Sequence, residues 1–189
     1  MTYIWRFIGL VVLVLLTSSA EATTYYVATT GSDSNNGTAV GTPFLTIQKA
    51  IDTVTAPGDI ITVANGTYTG AGTIGRMGTT DANGTAGNPI TIKSTTALGA
   101  HIVPSGAGAN HYGFYVERAY WVIEGFDIHG NAASNNNVGI VLIIGTGNVV
   151  RGNHIHDVAR TVCSNTTNGF GGIYAEAGAS SLTITKNQI

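Results

Sequence analysis

The chain runs to 189 residues, with only 10% Asp, Glu, Lys and Arg and a net charge of −2 at pH 7. So sparse and balanced a charge excludes a nucleic-acid partner, which needs a clustered basic face. A 43% hydrophobic content rich in β-branched residues favours a packed core over disorder, and the lone Cys163 excludes an internal disulfide.

Met1 to Arg6 carries one positive charge, Phe7 to Leu16 is an apolar run, and Ala20-Glu21-Ala22 has the small-x-small pattern of a signal-peptidase site. Residues 1–22 read as a secretory signal, so the mature chain is expected outside the cell, with periplasm and cell surface both open. The apolar run is well short of the roughly 20 residues of a spanning helix, so no membrane span is expected after cleavage. Residues 23–189 form one domain, with an N-terminal cap over 23–60 and coils over 60–189.

Thr24-Tyr-Tyr-Val-Ala28 reads as a first strand, ended by the turn-forming run Gly31-Ser-Asp-Ser-Asn-Asn-Gly37. Phe44, Ile47, Ile51 and Val54 recur at helical spacing, with Thr46 placed as N-cap and Pro57-Gly58-Asp59 closing the helix. Ile60-Ile-Thr-Val63 returns as a strand before the Asn65-Gly66 turn. A solenoid's first coil exposes unpaired strand edges, and the helix is assigned to cover them. The Asn-Gly-Thr triplets at Asn36, Asn65 and Asn83 match glycosylation sequons and are read as turns.

The main signal is repetition. Trp121-Val-Ile-Glu-Gly-Phe-Asp-Ile128, Asn148-Val-Val-Arg-Gly-Asn-His-Ile155 and Leu182-Thr-Ile-Thr-Lys-Asn-Gln-Ile189 align without a gap, and Pro89-Ile-Thr-Ile-Lys93 is a degenerate earlier member. Between them recurs a Gly-led block: Gly113-Phe-Tyr-Val-Glu117, Gly139-Ile-Val-Leu-Ile143 and Gly172-Ile-Tyr-Ala-Glu176. Both blocks are too short for helices and advance together at solenoid spacing. The fold expected is all-β: a right-handed, single-stranded parallel β-helix with an N-terminal amphipathic capping helix. A β-sandwich would show hairpins every 8–12 residues, approximately, and would not explain the repeated block.

Period-two alternation turns Ile123, Val150 and Ile184 inward, and likewise Ile128, Ile155 and Ile189. Asn153 and Asn187 share one turn position in successive coils, where stacked amides can bond along the axis, and Phe126 fills it one coil earlier. The chain stops at Ile189, an inward strand position, so a longer parent protein is expected.

Outward positions place Tyr115, Val141 and Tyr174 in one column, with Glu117, Ile143 and Glu176 beside them. Tyrosines on a flat sheet can stack on sugar rings, so Tyr115 and Tyr174 are substrate-binding candidates. Glu117 and Glu176 are metal candidates, although two coils separate them by roughly 9.6 Å. His129, His154, His156 and Asp157 fall near one corner with Arg151 and Arg160. Arg151, His154 and His156 are candidates for substrate binding, and Asp157 for metal. Ordinary cross-strand pairs on a solvated face are the alternative for the first group, and chance clustering of residues that a repeat sets in register is the alternative for the second. Asp127 and Asp157 stand as isolated aspartates, and Lys93 and Lys186 as solvated strand-end lysines.

Tyr25-Tyr-Val, Gly31-Ser-Asp-Ser-Asn-Asn-Gly-Thr38, Pro43-Phe-Leu-Thr-Ile-Gln-Lys-Ala-Ile51, Pro57-Gly-Asp59, Asn65-Gly-Thr-Tyr68, Gly87-Asn-Pro-Ile-Thr-Ile-Lys93 and the block at Trp121 follow one another in order. Together they resemble the opening of secreted bacterial β-helix proteins of the pectate-lyase-like superfamily. The chain is expected to be a monomer, and the resemblance implies a protein that acts on or binds polysaccharide, an acidic one in the lyases. It also implies calcium held by an aspartate cluster, with a Lys or Arg as base. That cluster and the Asp-Pro-His-Glu motif of related epimerases are absent here, so no catalytic residue carries over. The cofactor stays open, with calcium the candidate. The parent is read as a calcium-assisted lyase whose catalytic coils lie beyond these; the alternative is a non-catalytic surface or matrix binding protein.

Overall fold

Each strand pairs in parallel with its equivalent one coil on, so the chain climbs as a three-sided coil. The computed structural model describes residues 21–71, 73–105, 111–130, 137–158 and 171–189. The expected signal segment falls almost entirely outside these residues, and Arg160 and Cys163 lie outside them.

One face stacks β1 (Thr24–Val27), β2 (Ile60–Val63), β5 (Ile90–Ser94), β8 (Trp121–Glu124), β11 (Val149–Arg151) and β14 (Thr183–Thr185) in that order. A second stacks β3 (Gly66–Ala71), β6 (Ala100–Ser105), β9 (Asp127–His129) and β12 (His154–His156). The third stacks β4 (Gly75–Met77), β7 (His111–Val116), β10 (Asn137–Thr146) and β13 (Gly171–Ser180). All pairings are parallel, and such crossovers wind right-handedly. This is the right-handed parallel β-helix that the periodicity predicted.

The register builds the core as columns. Ile61, Ile92, Ile123 and Val150 are successive partners on the first face, and Ile102, Ile128 and Ile155 on the second. All are at most 1% exposed, and burying each stabilises by roughly 1.5–3 kcal/mol. Ile184 and Ile189 continue these columns in the last described coil, where they are 48% and 72% exposed.

The repeated glycine of the third face has a steric cause. A Cβ at Gly113 would lie 2.6 Å from Ile128 Cγ2, and one at Gly139 would lie 2.4 Å from Ile155 Cγ2. The missing side chain makes room for the inward isoleucine of the second face. Two left-handed corners flank each of β8, β11 and β14: Tyr120, Gly147 and Ser181 before the strand (φ 56°, 70° and 51°), then Gly125, Gly152 and Lys186 after it (φ 76°, 64° and 55°).

Helix α1 (Ile47–Thr53) plugs the N-terminal end through buried Ile47, Ala50 and Ile51. Thr46 Oγ1 accepts from Lys49 N–H at 3.2 Å as N-cap. Asp33 holds this corner by accepting from Leu45 N–H and Thr46 N–H, both at 2.9 Å, and from Thr46 Oγ1–H at 2.8 Å. Partial desolvation raises the Asp33 pKa, but these bonds and Lys49 outweigh it and hold the carboxyl below its usual range. Gln48 covers the bare edge of β4 directly. Its Oε1 accepts from Arg76 N–H at 2.8 Å and its Nε2 donates to Arg76 C=O at 2.9 Å, as a neighbouring strand would.

Candidate functional site

The outer surface of the second face gathers four imidazoles around one carboxylate. Register stacks His101, Asp127 and His154 in one outward column and His129 beside His156 in the next, while the isoleucines between them point inward. Asp127 is 8% exposed. Its Oδ2 lies 2.7 Å from His101 Nδ1, and its Oδ1 lies 3.0 Å from His154 Nδ1 and 3.2 Å from His156 Nε2. His129 Nε2 stands 3.6 Å from Oδ2. Burial alone would raise the Asp127 pKa, but the His101 hydrogen bond and the neighbouring His156 and His129 hold it below the usual carboxylate range.

His156 is gripped from both sides, since its Nδ1 lies 2.8 Å from Asp157 Oδ2. Asp157 reaches it from a left-handed corner (φ 54°), a conformation Asp tolerates better than most residues. The rings of His154 and His156 stack with centroids 4.4 Å apart. Among the candidates, His154, His156 and Asp157 therefore come together. Arg151 does not join them, because its Nη2 pairs with Glu124 Oε2 at 2.8 Å on the first face. Asp127, expected to stand alone, is the hub of the cluster. Parallel stacking sets residues 26 and 27 positions apart side by side, and a scan for clustered aspartates does not detect that.

The third face carries a second grouping. Tyr112 and Tyr115 stack with ring centroids 5.6 Å apart, and the Arg76 guanidinium carbon lies 5.2 Å from the Tyr115 centroid. Arg76 Nη2 also bonds Glu117 Oε2 at 2.9 Å while the Arg76 side chain stays 59% exposed. Thr73, Arg76, Tyr112 and Tyr115 line an open cleft of about 240 Å³. Burial, then the Glu117 charge, raises the Tyr115 phenol pKa.

Tyr115, Val141 and Tyr174 are register partners as expected, and Tyr174 is 45% exposed. The ring that stacks on Tyr115 is nevertheless Tyr112. Strict alternation turns Tyr112 inward, but both Gly113 and Phe114 are buried, and that break brings Tyr112 outward. Arg76 escaped the sequence reading because β4 has three residues and sits 39 positions from its partner Tyr115. Glu117 is committed to Arg76, and among the described residues neither Glu117 nor Glu176 joins a group of three ligands within reach of one ion. A larger groove of about 430 Å³ lies beside α1, lined by Thr46, Gln48, Tyr68 and Ile74 among others, with no Asp, Glu, Lys, Arg or His.

The right-handed parallel β-helix is the fold this chain shares with solved polysaccharide lyases, and the chain is similar to pectate-lyase-like β-helix proteins. Residues 29–75 match the family described as "Protein of unknown function (DUF1565)". The chain is 34% identical to pectate lyase L of Dickeya chrysanthemi over 55% of its length, and it spans 25% of that relative. Of solved structures, a rhamnogalacturonan lyase superposes with TM-score 0.58 at 21% identity over 72% of this chain and 36% of the other. A GH136 lacto-N-biosidase from Eubacterium ramulus superposes with TM-score 0.63 at 16% identity over 87% and 34%. At those identities the likeness is one of fold. No helix among the described residues is long and apolar enough to cross a membrane.

Proposed function

We propose that this β-helix binds an acidic polysaccharide along its third face and contributes that surface to an extracellular, monomeric polysaccharide lyase. The observation that carries the reading is the Tyr112–Tyr115 pair with Arg76 beside it in an open cleft. Flat aromatic rings match the apolar faces of sugars, and a guanidinium matches a uronate carboxylate. The 34% identity with a pectate lyase supports the substrate class.

β-Elimination from a uronate needs a cation on the carboxylate and a base for the α proton. Calcium takes 6–8 oxygen ligands, approximately. The described residues do not fit it: Glu117 is taken by Arg76, and Asp127 is ringed by nitrogen donors. The role assigned to these residues is therefore binding, with no chemical step routed through them. The same observation favours, as a second reading, a glycan-binding protein without catalysis.

Calorimetric titration with polygalacturonate and with a neutral galactan tests this. Arg76→Ala and Tyr115→Ala should each weaken binding of the acidic polymer at least tenfold, about 1.4 kcal/mol, and the neutral polymer should bind more weakly throughout. Unchanged affinity in both variants would remove the assignment of the face. Binding without release of unsaturated sugar would select the second reading.

A further inference from the structure

We propose that the histidine corner of the second face is a zinc-type transition-metal site, with Asp127 Oδ1, His154 Nδ1 and His156 Nε2 as ligands and Asp157 as the carboxylate that orients His156. It is separate from the glycan face and does not depend on that reading.

The donor set comes first. Two imidazoles and one carboxylate suit Zn²⁺ and its first-row neighbours, whereas an oxygen-seeking ion such as Ca²⁺ finds too few oxygens. The three donor atoms lie within 4.8 Å of one another, with separations of 3.0 Å and 3.2 Å from Asp127 Oδ1 to the two nitrogens. Ligands about 2.0–2.1 Å from a tetrahedral zinc stand roughly 3.3 Å apart, so small side-chain rotations admit the ion. His129 groups instead with His156 and Asp157, so the fourth position falls to a water.

The second support is the hydrogen count on His156. Its two ring nitrogens face two different carboxylates, Asp157 at 2.8 Å and Asp127 at 3.2 Å. A neutral imidazole has one N–H and can donate to only one of them. Donation to Asp157 leaves the Nε2 lone pair aimed at the Asp127 oxygen. A divalent cation between those atoms converts the repulsion into two coordinate bonds, and carboxylate–imidazole–metal relays are the usual way a protein fixes a ligating histidine. An imidazolium without metal also meets the hydrogen count, and the experiment separates the two.

Access and rigidity agree with the assignment. The His154 and His156 side chains are 31% and 27% exposed, open to solvent on one side, while Asp127 at 11% anchors the other. All three sit on strands whose register is locked by the buried isoleucine column, so the ligand atoms are held before the ion arrives.

The test uses the whole chain stripped with a chelator, then titrated with Zn²⁺ by calorimetry and with Co²⁺ by visible absorption. One equivalent of Zn²⁺ should bind, and Co²⁺ should show the intense ligand-field bands of four-coordinate nitrogen–oxygen sites. His154→Ala with His156→Ala should weaken Zn²⁺ at least a hundredfold, and Asp157→Asn, which keeps all three ligands, about tenfold or more. Far-UV circular dichroism establishes that each variant is folded, and the wild-type Co²⁺ spectrum needs no variant. Absence of Zn²⁺ heat and of Co²⁺ bands in the wild type would overturn the site and leave a proton-only cluster. Zn²⁺ uptake equal in wild type and double variant would also overturn it, by placing the ion elsewhere.

Discussion

Asn153 offers the sharpest test of what holds the coils in register. It is 1% exposed. Its Oδ1 accepts from Phe126 N–H at 2.9 Å, and its Nδ2 donates to Ile123 C=O at 3.1 Å and to Asn187 Oδ1 at 3.0 Å. Asn187 repeats the device one coil on, accepting from Asn153 N–H at 3.0 Å and donating to Val150 C=O at 2.9 Å. Asn153→Ala strips two buried backbone groups, Phe126 N–H and Ile123 C=O, of their partners. Each orphan costs about 1–3 kcal/mol, and an under-satisfied carbonyl sits at the low end, so the loss should be about 3–4 kcal/mol. In a domain of this size that is roughly 10 °C in Tm. Asn187→Ala removes the partners of Asn153 N–H and Val150 C=O, but from a half-buried side chain in the exposed last described coil, and should cost less, about 1–2 kcal/mol. Asn153→Asp keeps the acceptor but turns an oxygen toward Ile123 C=O and Asn187 Oδ1, so it should be no milder than the alanine change. Urea unfolding measures this as a shift in midpoint at constant slope. A loss below about 1 kcal/mol for Asn153→Ala, or equal losses at the two positions, would refute the ladder as a source of stability.

Three further outcomes follow from the geometry. Gly139→Ala places a methyl 2.4 Å from Ile155 Cγ2 and 2.7 Å from Gly172 C=O, and should lower stability by about 1–3 kcal/mol in thermal melts. Lys186 occupies a left-handed corner (φ 55°) that Gly125 and Gly152 fill in earlier coils, so Lys186→Gly should raise stability by about 1 kcal/mol; a decrease would show that the corner is unstrained. The folded-state pKa of Asp33 is lowered, so its stabilising contribution is present above the unfolded pKa of about 4 and is lost as pH falls through the folded value. Because Asp33 is exposed, the wild type should exceed Asp33→Asn by only about 1 kcal/mol at pH 7. Melts across the acid range should show that gap closing below about pH 4, and a constant gap would exclude the charge as its source.

Much of the architecture is legible in the sequence. The gapless blocks at Trp121, Asn148 and Leu182 supply strands of the first face and lead into the second, and the Gly-led blocks mark the third. The spacing of Phe44, Ile47, Ile51 and Val54 marks a helix whose N-cap is Thr46. Period and alternation are local properties of a chain, so each coil declares its own inward residues. Even the Asn153–Asn187 contact follows from aligning equivalent turns.

The sites required the tertiary structure. Asp127 has no acidic neighbour in the sequence, yet the register sets it between His101 and His154, and the adjoining column adds His129 and His156. Tyr112 leaves its alternation pattern at Gly113–Phe114, and Arg76 meets Tyr115 across a 39-residue step that shows no repeat. Sequence by itself determined that the chain coils and which residues face inward, because hydrophobic period is written residue by residue. Which outward side chains touch depends on the length of every intervening loop. Those lengths vary from coil to coil, so only the closed parallel register decides the contacts.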